Sequence, residues 1–461
     1  MNLYLLKRKN YFVVNKGFII QLLLGFVSFC IYTYFPLQMP MSKVLFYIAF
    51  AWALLSLVIF FFYKKKVNYF DFDTIFIFMA YIVHFLSPFF YDESYYRLLF
   101  LGFDFDTTFI NSATWIAVLG MQAYFCGSLY GINNSYKVNL DKNNRLLSTK
   151  ILGCIVTVLI LLFIISGGLE AYRELYTGEG DFGGIYTYFL LLIIVVSIII
   201  ESIEIHNKKL SNKYHFRKYP LFLISIFCLL LLSVGNRTAF SQLCLPLLGL
   251  YCLLFKPVKL KIFIVLMFLG IFSMWIIQNN RAKQDINMGE VNYVMLFTDL
   301  TIPSRTLYVG MEYVEKNGYT YGKSMMAGIL GVIPKLPSLF SDSIREMGSA
   351  ELITNYTYDS LGSFSERRTG LGTTIIADIY LSFGTWGVVC LMFFLGRFVD
   401  IHQRRANSNV YSLIILAAML ANSVFLVRAS YTHTIRYILW SLFFTYLYVR
   451  CFKLNNKNLG K

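Results

Sequence analysis

Apolar runs of about twenty residues recur along nearly the whole chain, and this recurrence decides the fold class before any motif is consulted. A helix rising 1.5 Å per residue needs about twenty apolar residues to cross a hydrocarbon core roughly 30 Å thick. Inside that core each backbone N–H and C=O must be bonded within its own element, so such runs are read as transmembrane α-helices. Composition agrees. Of 461 residues, 57% are hydrophobic and 14% charged, whereas a soluble domain carries about a quarter charged residues. The expected class is an all-α polytopic integral membrane protein.

Twelve spans are expected, at about 17–35, 44–63, 74–91, 108–129, 151–169, 185–204, 219–234, 238–255, 262–278, 373–395, 409–427 and 434–450. The seventh and eighth form a tight hairpin around Gly235-Asn236-Arg237. One long segment, Asn279 to Gly372, separates the ninth from the tenth. Its 94 residues hold nine Lys/Arg and ten Asp/Glu. The chain therefore divides into 1–278 with spans one to nine, the loop 279–372, and 373–461 with spans ten to twelve. Within the loop, Val291 to Asn317 has helical character broken at Pro303. Ser324 to Pro334 is apolar but too short to span, so it is expected along the membrane surface. Gly370 and Gly372 permit a tight turn into span ten.

Charge sets the orientation. The formal net charge of +16 would point to nucleic acid in a soluble chain,. Here the positive-inside rule accounts for it, and no nucleic-acid partner is expected. With both termini cytoplasmic, 26 Lys/Arg fall on the inner side and 15 on the outer, nine of the latter in the long loop. The short loops thus stand at 26 against six, which makes the long loop extracytoplasmic. Lys7-Arg8-Lys9 precede an apolar run without a small-residue cleavage site, the pattern of a retained first anchor. All eight cysteines lie within spans or at their ends, so neither a disulfide framework nor a cysteine zinc site is indicated,. No Walker A loop, metal-binding His pair or internal repeat is present, and no cofactor is expected.

Three constellations could carry chemistry. Arg237, Arg281, Arg305, Arg367, Arg368, Arg428 and Arg436 gather at the expected outer face, against the usual bias of basic residues,. A guanidinium is always charged and pairs bidentately with phosphate oxygens, so several around one cleft would suit a lipid-linked pyrophosphate. The plain alternative is contact with lipid headgroups. The second set is acidic: Glu351, Glu366 and Asp378, the last inside the start of span ten. A carboxylate can accept the proton of an attacking sugar hydroxyl, and an ionisable group within a span is a functional candidate by default. Its alternative is an ion pair with a neighbouring arginine. His433, between Arg428 and Arg436, is a further candidate base. The third set is aromatic. Tyr319, Tyr321, Tyr356, Tyr358 and Tyr380 crowd the same half, where flat rings hold sugar faces or form an interfacial belt.

The motifs resemble those of the O-antigen and oligosaccharide repeat-unit polymerases, the Wzy family of bacterial inner-membrane proteins. Val234-Gly235-Asn236-Arg237-Thr238-Ala239 resembles the family's Gly-x-Arg turn between two spans. Gly370-Leu371-Gly372-Thr373-Thr374-Ile375-Ile376-Ala377-Asp378-Ile379-Tyr380, followed by Phe383-Gly384-Thr385-Trp386-Gly387, is similar to its pattern at the start of span ten. This chain has Asp378 where the family more often has Glu. Val427-Arg428-Ala429-Ser430 is like an arginine turn ahead of the final span.

The resemblance implies a lipid-donor, GT-C-like polymerase architecture and a location in the cytoplasmic membrane. It implies transfer of a growing glycan from undecaprenyl pyrophosphate onto an incoming lipid-linked repeat, making O-antigen or capsule, with a chain-length regulator as a further partner. On that reading Asp378, Glu351, Glu366 and His433 are the catalytic candidates. Arg237, Arg281, Arg305, Arg367, Arg368, Arg428 and Tyr380 would hold pyrophosphate and glycan, with no metal. Two alternatives stay open. A ligase would pass finished polymer to lipid A core, but the related ligases often carry a His in the large outer loop and this loop has none. A flippase or transporter would show repeated halves, which the chain lacks.

Overall fold

The computed structural model describes residues 15–35, 37–90, 106–131, 146–177, 184–282, 300–333, 336, 347–360 and 370–458. Among them are sixteen α-helices and three 3₁₀ turns, with no strand. Each apolar stretch marked in the sequence is helical. The first nine give α1 (Lys16–Tyr34), α2 (Lys43–Lys64), α3 (Phe72–Phe85), α4 (Phe109–Leu129), α5 (Lys150–Ile165), α7 (Ile185–Leu210), α8 (Lys218–Ser233), α9 (Arg237–Leu254) and α10 (Leu260–Ala282). A short amphipathic α6 (Gly168–Thr177) follows α5. The last three give α14 (Ile375–Arg405), α15 (Val410–Ala421) and α16 (His433–Asn458). Between α10 and α14 lie α11 (Arg305–Asn317), α12 (Lys323–Leu330) and α13 (Ser349–Ser360). Six described helices are long and apolar enough to cross a membrane, or seven if α5 and α6, bent by 54°, form one span. The protein is therefore an all-helical membrane protein.

Packing separates the helices into a centre and a shell. Every residue of α4 from Phe109 to Leu129 is buried, between α14, α1 and α2. The approach to α14 needs glycine on both sides. A Cβ on Gly127 would strike the Phe393 carbonyl, and one on Gly396 would strike the Tyr124 carbonyl. Without a hydrophobic drive between helices in lipid, such close backbone contact is what holds them together. In the shell, α1 and α2 carry exposed Leu22, Leu23, Phe26, Val58 and Phe62. That is an apolar surface suited to acyl chains.

One end of the bundle is closed by a buried ionic network. The Lys64 ammonium lies 2.8 Å from Asp400 and 3.8 Å from Asp73. It also donates to Ser128 Oγ at 2.7 Å. Lys66 lies 2.6 Å from Asp71 and 3.7 Å from Asp73. Arg404 and Arg397 reach Asp400 at 3.0 and 3.2 Å, and they also bond the Gly131 and Tyr130 carbonyls that end α4. Tyr124 donates to Asp73 at 2.5 Å. Asp400 thus joins α2, α4 and α14 through three cations. Removing one member of a buried pair leaves its partner uncompensated, at a cost of about 3–5 kcal/mol. Asp400→Ala is expected at the lower end, because Arg397 and Arg404 stay partly exposed. Thermal unfolding in detergent reads this, and Lys64→Met should recover part of the loss.

At the other end, α14 is broken. Gly384 has φ 64° and ψ −157° inside the helix, a backbone region open essentially to glycine alone. There the Leu381 carbonyl accepts the Thr320 N–H at 2.9 Å and its hydroxyl at 3.2 Å. Ser324 and Ser382 share a hydrogen bond of 2.7 Å. Thr320 and α12 are thereby docked on α14, and α12 also packs on α16. A Cβ at Gly384 would stand 2.8 Å from the Tyr319 hydroxyl. Gly384→Ala is therefore expected to destabilise by about 1–3 kcal/mol. The same change should displace Tyr319, seen as a shift in thermal midpoint and faster proteolysis near Thr320.

Candidate active site at the Asp378 end

The start of α14 is set by local chemistry. Gly372, at φ 74°, turns the chain. Thr374 then caps the helix, its side chain accepting the Ala377 N–H at 3.2 Å. Asp378 falls in the first turn and is wholly buried. Its Oδ2 accepts the Tyr431 N–H at 2.8 Å, and the Ser349 hydroxyl is a second polar neighbour. Its Oδ1 takes no hydrogen bond from any described residue. The N-terminal end of a helix favours a negative charge, and one carboxylate oxygen is left without a hydrogen-bond donor among the described residues.

Arg305 opens α11 directly after the 3₁₀ turn Ile302–Ser304. It is 4% exposed, and its Nε and Nη1 find no acceptor among the described residues. Burial pulls its guanidinium down to about 10, against the neighbouring Tyr358 and with the like charge of Arg428 adding to the effect. An arginine buried without an anion is costly. Arg428, in the 3₁₀ turn Leu426–Arg428, is half-buried. That turn packs on α3 and α14, and three residues later the chain supplies the Tyr431 N–H to Asp378. The segment 422–432 therefore carries both Arg428 and the N–H that Asp378 accepts, and Arg305 lies within electrostatic reach of Arg428. Neither Asp378 nor Arg305 makes an ion pair among the described residues, which do not include Arg367 and Arg368.

The remaining candidates spread around this centre. Arg237 begins α9 behind Gly235, which has φ 83°, and Asn236, whose side chain accepts the Ala239 N–H at 3.0 Å. Five residues on, Gln242 donates to Asn422 at 2.8 Å and to Tyr437 at 3.2 Å. The hairpin is thus joined to the same 422–432 segment. His433 sits between Phe425 and Tyr437 with tilted rings, at 4.9 and 5.7 Å between centroids, and its Nε2 is buried without a described partner. Arg436 covers Gly331. Glu351 is exposed on α13, while Ser349, two residues earlier, faces Asp378. Tyr380 is buried beneath Tyr319. Arg281 lies on the helical backbone of α10 with its side chain outside the described residues. Glu366, Arg367 and Arg368 also lie outside them.

Ser349 and the Tyr431 N–H escape a reading of the sequence. A serine at a helix start resembles any other cap, and a backbone donor has no sequence signature at all. What could have pointed to the region is the run Arg428 to His433, where basic and hydroxyl residues interrupt two apolar helices.

The fold and this polar end define a polytopic membrane protein with a buried carboxylate and a buried cation, neither in an ion pair among the described residues, at one end of its bundle. A model of the family described as O-antigen polysaccharide polymerase Wzy matches residues 18–458, and the chain belongs to that family. No curated protein and no solved structure matches it.

Proposed function

We propose that the protein joins oligosaccharide repeat units into a surface polysaccharide, taking the growing chain from undecaprenyl pyrophosphate at the extracytoplasmic face of the inner membrane. Twelve spans, cytoplasmic termini and an outer loop at 279–372 put Asp378, Arg305 and Arg428 at that face. The observation that carries the reading is the pair of buried groups, Asp378 Oδ1 and the Arg305 Nε and Nη1, that lack a hydrogen-bond partner among the described residues at one end of the bundle. Asp378 takes the proton of the acceptor sugar hydroxyl. The freed oxygen attacks the anomeric carbon of the donor, and the bond from that carbon to the pyrophosphate oxygen breaks. The electron pair leaves with the diphosphate, whose charge Arg305 and Arg428 hold, with Arg237 at its edge. Preorganised cations of this kind stabilise developing charge in a water-poor site.

Family membership supports glycan polymerisation; the lipid pyrophosphate donor and the roles of single residues rest on the chemistry of the side chains. The test is reconstitution of the purified chain in vesicles with a lipid-linked repeat unit and no nucleotide sugar. Products of two and more repeats on lipid are expected. Transfer only to a lipid A core would instead mark a ligase, and movement of the lipid-linked sugar across the vesicle membrane without bond formation a transporter. Either result in place of polymer overturns the proposal.

A further inference from the structure

The break in α14 gathers an aromatic group that the chemistry above does not use. Tyr319 packs edge-on against Tyr380 at 6.2 Å and against Tyr321 at 6.4 Å between ring centroids. Tyr32 of α1 approaches Tyr380 from another side. Tyr321 is 78% exposed and Tyr319 is 39% exposed, and exposed Phe383 stands beside them, 3.0 Å from where a Gly322 Cβ would lie.

The backbone is contorted to hold these rings. Gly318, Tyr321 and Gly322 all have positive φ, at 79°, 49° and 84°. Left-handed backbone is unfavourable for a tyrosine. A tyrosine that merely marks the membrane interface would need none of this strain, since it can stand on any regular helix surface. Here the segment is clamped to the Leu381 carbonyl, and the strain holds the Tyr319 and Tyr321 rings outward over buried Tyr380. Flat apolar faces edged by hydroxyl donors and acceptors fit a carbohydrate chain, which alternates C–H faces with hydroxyl rims.

The position is separate from the reacting centre. Tyr380 follows Asp378 by two residues on a helix of 3.6 residues per turn, so the two side chains leave α14 on opposite sides. We propose that Tyr319 and Tyr321, backed by buried Tyr380, form a shelf that binds the polysaccharide chain itself, some sugars away from the bond being made. The proposal rests on the polymerase reading. It assigns the glycan a grip that does not depend on the pyrophosphate.

The experiment uses the full chain in lipid nanodiscs. The probe is the oligosaccharide of the source strain's own surface polysaccharide, freed from lipid by mild acid and therefore without pyrophosphate. Binding is followed by saturation-transfer difference NMR. Wild type should bind, and Tyr319→Ala should weaken binding about tenfold, the scale of one lost ring contact. Tyr321→Gly should do the same, and because glycine suits the left-handed backbone, its loss of binding cannot be traced to a damaged fold. Tyr321→Phe should keep most of the affinity. Equal binding by wild type and Tyr321→Gly, or no binding by wild type, overturns the shelf. Neither result touches the arginine site, which is tested with a prenyl pyrophosphate that carries no sugar.

Discussion

Asp378→Asn ends chain extension while leaving the protein folded in the membrane. Asparagine keeps the size of the side chain and an oxygen that can accept the Tyr431 N–H, now held at 2.8 Å. It removes only the charge and the basicity. If the carboxylate takes the hydroxyl proton as the sugar attacks, the transfer rate falls by about 10²- to 10⁴-fold. A gel of surface glycan then shows single repeats in place of a ladder, at unchanged protein level. Asp378→Glu should retain part of the activity, because it keeps the proton acceptor. Its extra methylene in a filled position carries an overpacking penalty of about 1–3 kcal/mol. A full ladder from Asp378→Asn would mean that the buried carboxylate serves only to anchor the 422–432 segment, and the catalytic role would be lost.

The sequence made the helices legible because period and length are local properties. Each expected span from 17–35 to 434–450 overlaps a helix, and six of these, or seven with the bent α5–α6 pair, are long and apolar enough to cross a membrane among the described residues,. The break at Gly384 was not legible, because a glycine in a helix is tolerated more often than it marks a rupture. Nor was the Asp400 network. Lys64, Asp73 and Asp400 lie far apart in the chain, and only helix packing brings them within 3.8 Å. At the candidate site, Asp378 stood out as a charge within an apolar run. Among the arginines, the sequence reading puts Arg305 with Arg237, Arg281, Arg367, Arg368 and Arg428 as holders of pyrophosphate and leaves Arg436 out of that set. Burial separates Arg305 from Arg436 in the same sense: Arg305 is enclosed with its Nε and Nη1 lacking an acceptor among the described residues, while Arg436 lies half-buried over Gly331.

Arg305→Met should raise the stability of the protein and destroy its function. The guanidinium is buried with Nε and Nη1 unbonded among the described residues, and Arg428 adds repulsion. Replacing such a charge by an apolar side chain of similar length relieves the folded state, by about 1–3 kcal/mol. An increased thermal midpoint in detergent reads that gain. The same change should weaken binding of a sugar-free prenyl pyrophosphate roughly 10- to 100-fold, the loss of hydrogen bonds to a charged group. Arg305→Lys keeps the charge but not the planar fork, so its binding should lie between the two. The two signs must appear together. A buried guanidinium that destabilises the fold until an anion reaches it marks a binding site, and a stabilised protein that still binds pyrophosphate would show that Arg305 serves no anion at all. If Arg305→Met instead lowers stability, the guanidinium has partners that hold the fold, and the pyrophosphate grip must be sought at Arg237 and Arg428.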